Sequence, residues 1–148
     1  IPSVQATHAT SDMYWVEDRL GEKRSRHAYA LSDLLNTNGW LPNGSDFPIE
    51  SINPMYGYYA AVVRKDKDGF PEHGFQPENS LTREQALRAM TIWAAKAQFE
   101  ENEKGSLEVG KMADLVILDG DILRSDSDSL FNTKVLMTML AGKVVYER

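Results

Sequence analysis

Trp40-Leu41-Pro42-Asn43-Gly44-Ser45-Asp46-Phe47-Pro48 is the stretch that decides the fold. A brief apolar strand, Trp40 to Asn43, runs into a Gly/Ser turn carrying a single aspartate. Upstream, residues 2–7 form a second short strand candidate that arrives at His8. Between the two, His27 to Asn36 places Ala28, Leu31, Leu34 and Leu35 at helical spacing, which makes one apolar face. Asn36-Thr37-Asn38-Gly39 ends this helix, with Gly39 suited to the left-handed position that follows it. Strand, helix and strand in that order predict parallel neighbours and an α/β fold. An aspartate just past the C-terminal end of such a strand lies on the rim where sheets and barrels handle metal ions and substrates. On the pentapeptide alone an aspartate that simply caps the turn is the better reading.

Outward from this core the elements follow from local chemistry. Asp12 to Arg26 is polar, charge-dense and helical in character. Asn53-Pro54 is a cap residue followed by proline at the first helical position. The helix it opens, to about Lys65, carries Tyr56, Tyr59, Ala60 and Val63 on one side, and the tyrosines read as packing residues. Residues 66–80 form a long loop. Thr82-Arg83-Glu84-Gln85 is a capping box, and it opens a helix expected over Arg83 to Phe99. After Phe99 the character changes. Ala113 to Leu118 is a β-forming run, residues 119–129 an acidic, serine-rich loop, and Val135–Leu140 with Lys143–Tyr146 a hairpin across Ala141-Gly142. The expected division is therefore residues 1–102, α/β, and residues 103–148, all-β.

The net charge of -6 argues against nucleic-acid binding, which needs a basic face. There is no cysteine, so a metal would have to be held by His, Asp, Glu or backbone oxygens. No run approaches the ~18 apolar residues that span a bilayer. Ile1-Pro2-Ser3-Val4 has neither a charged n-region nor a methionine and reads as the interior of a longer chain, with cytoplasmic placement preferred. The aspartates at 119, 121, 126 and 128 fail the EF-hand pattern: Leu123 takes a ligand position and Leu130 stands where the acidic twelfth residue belongs. The Asp66-Lys67-Asp68-Gly69 stretch fails it too, so both segments read as solvated loops.

Lys104 to Asp119 (KGSLEVGKMADLVILD) resembles the C-terminal signature of the amidohydrolase superfamily. The Leu81–Leu87 helix ending at Thr91-Ile92-Trp93-Ala94-Ala95, and the closing Ala141-Gly142-Lys143-Val144-Val145-Tyr146, are similar as well. Ser3 to Asp12, Glu17-Asp18-Arg19-Leu20-Gly21 and Gly44-Ser45-Asp46-Phe47-Pro48 resemble the branch called amidohydrolase family 3. The family's His-x-His, its bridging ligand and its two further metal-binding histidines have no counterpart here. The resemblance therefore implies the C-terminal part of an enzyme: strands seven and eight of a TIM (β/α)8 barrel with their helices, then part of a small β-sandwich.

It further implies a metal-dependent hydrolase of non-peptide, amide-type C–N bonds in small molecules, with a divalent metal such as zinc. Asp46 matches the aspartate that touches this metal and serves as general base; one carboxylate alone is not expected to hold the ion. His8, on the same rim, could donate to the substrate carbonyl or the developing oxyanion. Trp15 could line a substrate pocket and Arg19 bind a carboxylate, or the two could belong to a salt-bridged helix start. His27 and His73 have no partner at ligand spacing and read as structural or solvated. A reading of a different class is a non-catalytic module that pairs through exposed strand edges, which makes a homo-oligomer the expected state.

Overall fold

The computed structural model describes residues Ile1–Arg148. Its organising junction is Asn43. The Val4 N–H donates to the Pro42 carbonyl at 3.0 Å, and the Gly44 N–H donates to the Val4 carbonyl at 2.9 Å. Val4 and Asn43 thereby form a parallel bridge. Parallel pairing was the expectation, but both strands shrink to this one rung. Pro42 has no N–H to extend the ladder, and the Ala6 N–H is taken by the Asn43 side chain, at 2.9 Å, instead of by a neighbouring main chain. Asn43 also donates its own N–H to the Ala89 carbonyl at 3.0 Å. On its other side it approaches Gly57, where a Cβ would lie 3.2 Å from Asn43 Nδ2.

Eight α-helices follow the chain: α1 (Thr7–Asp12), α2 (Val16–Leu20), α3 (Glu22–Ser25), α4 (Leu31–Asn38), α5 (Pro54–Val63), α6 (Arg83–Met90), α7 (Ile92–Ala97) and α8 (Ser127–Leu130). Three strands, β1 (Leu115–Leu118), β2 (Val135–Leu140) and β3 (Lys143–Glu147), form one antiparallel sheet in the order β1-β2-β3. The expected caps are present. Asn53 Oδ1 accepts from the Met55 N–H at 3.0 Å. Thr82 and Gln85 exchange both capping-box hydrogen bonds. Gly39 closes α4 in the left-handed conformation. The core centres on α5, where Tyr58, Ala60 and Ala61 are buried with Leu31, Leu41 and Leu81.

Three expectations are corrected. The helix expected at His27 begins only at Leu31, because Tyr29 sits at φ 56 and breaks the first turn. The helix expected over Arg83 to Phe99 divides at Thr91, whose backbone leaves the helical region (φ -122, ψ -98). There the Thr91 hydroxyl donates to the Leu87 carbonyl at 2.7 Å, a back-bond of the kind that bends helices. The bend makes room for Gly105, whose missing Cβ would lie 2.7 Å from Ala95 Cβ.

The acidic segment after β1 is not a wholly solvated loop. The Ile122 carbonyl accepts from the Tyr58 hydroxyl at 2.9 Å and from Arg83 Nη1 at 2.8 Å. Leu130 of α8 is fully buried in the core around α5, and Phe131 stacks on Tyr56 at 4.3 Å between centroids. Residues 122–131 thus pack on the helices that precede residue 102.

Successive strand residues point to opposite faces. Val116 and Ile117 are both exposed, as are Val144, Val145 and Tyr146. Neither face of the sheet is covered, and every residue of β3 is exposed along its unpaired edge. An uncovered apolar sheet with a free edge favours association. Light scattering of residues 1–148 alone is expected to give a mass well above the 16.7 kDa of one chain. Val144→Lys with Val145→Lys should lower it. A monomer for the unsubstituted chain would contradict this account.

Candidate active site

His8 and Asp46 are 38 positions apart in sequence, and the fold brings them into hydrogen-bond contact: His8 Nε2 lies 3.0 Å from Asp46 Oδ2. The Val4–Asn43 bridge sets this distance. His8 follows it by four residues on one segment, and Asp46 by three on the other. His8 was expected at a strand end; it lies instead in the first turn of α1, which starts as soon as the single rung is made.

Asp46 adopts the left-handed conformation, φ 57. Aspartate enters this region more readily than most residues, and such conformations gather at functional sites. Its carbonyl accepts from the N–H groups of Ile49 and Glu50, at 2.9 and 3.3 Å, which closes the turn. The side chain remains 44% exposed, so water reaches it, and no protein group hydrogen-bonds Oδ1.

The other side of the His8 ring also meets carboxylates. Nδ1 lies 3.5 Å from Glu50 Oε1 and 3.9 Å from Asp12 Oδ2. Each carboxylate has a further partner: the Ser11 hydroxyl donates to Glu50 Oε1 at 2.6 Å, and the Tyr29 hydroxyl to Asp12 Oδ2 at 2.5 Å. Burial, with the Asp12 hydrogen bond added, pushes the Tyr29 hydroxyl pKa far up and keeps it a donor. Carboxylates thus stand on both sides of the imidazole ring, with the hydrogen bond at Nε2.

Glu50 and Ser11 were not singled out from the sequence. The available signal was short-range: Glu50 follows Asp46 by four residues in a turn-forming segment. Trp15 and Arg19 are exposed, make no side-chain hydrogen bond and line neither cavity that flanks α1. The structure does not bring them to the His8–Asp46 pair. His27 and His73 form no ion pair, although His27 lines a cavity of about 300 Å³ with His8 and Leu31.

The metal that the resemblance implies can be tested against this donor set. Asp46 offers one open carboxylate oxygen, but no three His, Cys, Asp or Glu side chains are arranged to hold an ion. These residues do not make a metal site by themselves, since a catalytic zinc needs about three protein ligands.

Behind α1 a second contact fixes the loop that carries Tyr14. The Tyr14 hydroxyl donates to Asp66 Oδ2, and the Tyr14 ring stacks on Phe70 at 5.9 Å. Asp66 Oδ1 accepts from the N–H groups of Asp68 and Phe70, at 2.8 and 2.9 Å. Burial would raise the Asp66 carboxyl, but Tyr14 and the main-chain donors outweigh it and hold its pKa below the ordinary 3.8.

A depressed folded-state pKa contributes stability that is present above about pH 3.8 and lost as pH falls through the folded value. Tyr14→Phe removes one donor and brings the two values closer. Acid unfolding followed by circular dichroism should then begin at higher pH in the variant. An unchanged acid limb would remove Tyr14 from this role.

Residues 1–146 match the amidohydrolase family. The Arabidopsis thaliana protein LONG AFTER FAR-RED 3 is 36% identical over 147 residues, covering 99% of this chain and 25% of that protein. The N-substituted formamide deformylase of Arthrobacter pascens is 36% identical over 120 residues, covering 81% of this chain and 22% of the enzyme. Among solved structures, an uncharacterized metal-dependent hydrolase from Pyrococcus horikoshii has a TM-score of 0.72 at 31% identity, over 84% of this chain and 25% of the other. The chain spans about a quarter of the length of these relatives. With the family's pattern running across nearly all of its residues and a metal-dependent hydrolase sharing its fold, this α/β chain with a three-stranded sheet belongs to the amidohydrolase family.

Proposed function

We propose that the chain is the C-terminal part of a metal-dependent hydrolase of non-peptide, amide-type C–N bonds in small molecules. In this reading residues 1–102 are the end of a (β/α)8 barrel, strands seven and eight with their helices, and residues 103–148 a portion of a β-sandwich. The observation that carries the proposal is the His8–Asp46 pair at 3.0 Å, with its exposed, uncommitted Oδ1. Family membership and a relative named for deformylating N-substituted formamides support the bond type.

The chemistry follows from the geometry. Hydrolysis needs a carboxylate that takes a proton from the attacking water and passes it to the departing nitrogen. Asp46 Oδ1 is free for that task, while His8 holds Oδ2 and keeps the carboxylate from rotating. Because His8 Nε2 faces Asp46, its part is to position that carboxylate; donation to a substrate carbonyl would require the ring to leave it. A divalent ion, zinc or similar, would acidify the water and polarise the carbonyl. Asp46 would be one of its ligands, and the others would come from beyond the residues described. Trp15 and Arg19, both exposed, remain proposed substrate contacts at the outer edge.

The uncovered sheet favours a second reading, a non-catalytic module that pairs through β3. Turnover separates the two. The longest native polypeptide containing residues 1–148 should release amine from N-substituted formamides or related amides, lose that activity to a chelator, and regain it with a divalent metal. Asp46→Asn should lower kcat by ~10²–10⁴-fold, the usual worth of a positioned general base, with the fold intact by circular dichroism. Full turnover in Asp46→Asn would overturn the assignment.

A further inference from the structure

A cavity of about 370 Å³ lies on the far side of α1 from the second, smaller one, between α1, α5 and the loop after Arg64. That volume is in the range of small-molecule sites, ~300–1,000 Å³. Tyr14, Tyr56, Tyr59 and Phe131 line it, and Ser11 and Glu50 belong both to its wall and to the network around His8. Its aromatic residues are fixed: Phe131 stacks on Tyr56 at 4.3 Å and meets Tyr59 edge-on at 5.4 Å. Flat apolar walls suit a planar ring.

Thr7 and Lys65, two donors of the wall, have no hydrogen-bond partner, and neither do the exposed Lys67 or the Tyr56 and Tyr59 hydroxyls. Thr7 Oγ1 is buried without a hydrogen-bond partner, in a residue 94% removed from solvent (6% exposed). A buried hydroxyl left in that state is costly and points to an absent partner. Lys65 is half-buried, forms no ion pair within 4.0 Å and makes no side-chain hydrogen bond. The half-buried carboxylates of the wall are already engaged, Glu50 by Ser11 and Asp66 by Tyr14 and main-chain N–H groups. Asp68 is exposed at the rim. The unmet demand inside is for an acceptor, and an anionic one at Lys65.

We propose that this cavity binds an aryl carboxylate, with its ring among Tyr56, Tyr59 and Phe131 and its acceptor oxygens at Lys65 and Thr7. The site adjoins the His8–Asp46 pair but is distinct from it. If the hydrolase reading holds, and this clause rests on it, the cavity seats the aryl-acid portion of the substrate beside the reacting bond.

The test is binding, measured without turnover, so it stands or falls apart from the catalytic assignment. Titration calorimetry with benzoate and phenylacetate, on the longest native polypeptide that contains the chain, should show saturable binding. Lys65→Met and Thr7→Val should each weaken it, Lys65→Met by at least tenfold, while Arg26→Met, on the exposed surface away from the cavity, leaves it unchanged. Tyr56→Ala supplies a second arm, with circular dichroism confirming that each variant is folded. Absence of saturable binding, binding indifferent to Lys65→Met, or preference for benzylamine over benzoate would each overturn the proposal.

Discussion

Asn43 is the constraint on which the rest of the structure depends. Its main chain closes the single parallel rung with Val4, its side chain takes the Ala6 N–H, and its own N–H reaches Ala89 at the end of α6. One residue therefore ties three segments that are distant in sequence. A buried hydrogen bond of this kind is worth only about 1 kcal/mol net, but loss of the Asn43 amide would leave the Ala6 N–H unpaired within the core. Gly57 belongs to the same junction, because a larger residue would press on the Asn43 amide.

The site is a consequence of that junction. His8 and Asp46 leave it on adjacent chains, and the first turn of α1 and the left-handed turn at Asp46 convert adjacency into a 3.0 Å contact. Glu50 and Asp12 then face the other ring nitrogen at 3.5 and 3.9 Å. The pair leaves one carboxylate oxygen of Asp46 open to water, and no three His, Cys, Asp or Glu side chains are grouped around it to hold an ion.

The two ends of the chain differ in how well they are covered. Around α5 the apolar surface is closed by α8 and Phe131, which reach back across the sequence to pack on it. The sheet is open on both faces. The same polypeptide thus holds a finished core and an uncovered sheet, and residues past 102 contribute to both. Ile122, hydrogen-bonded to Tyr58 and Arg83, is the clearest case: by composition it lies in the acidic loop, by contact it belongs to the helices.

What the sequence determined by itself was everything decided within a few residues. The caps at Asn53 and Thr82, the left-handed stop at Gly39, the hairpin at Ala141-Gly142 and the aspartate on its turn were all legible. Each depends on a side chain reaching its own backbone, or on a φ that only certain residues tolerate. Tertiary structure alone decided the contact of His8 with Asp46, the recruitment of Glu50 and Ser11, the bend at Thr91 against Gly105 and the docking of α8. These involve partners up to tens of residues apart, and no local pattern encodes a meeting that exists only once the intervening chain has packed. The strands failed for the same reason. Residues 2–7 and 40–43 have the composition of a parallel pair, but how far pairing runs depends on which neighbours accept their N–H groups, and here a side chain and a helix end take them first.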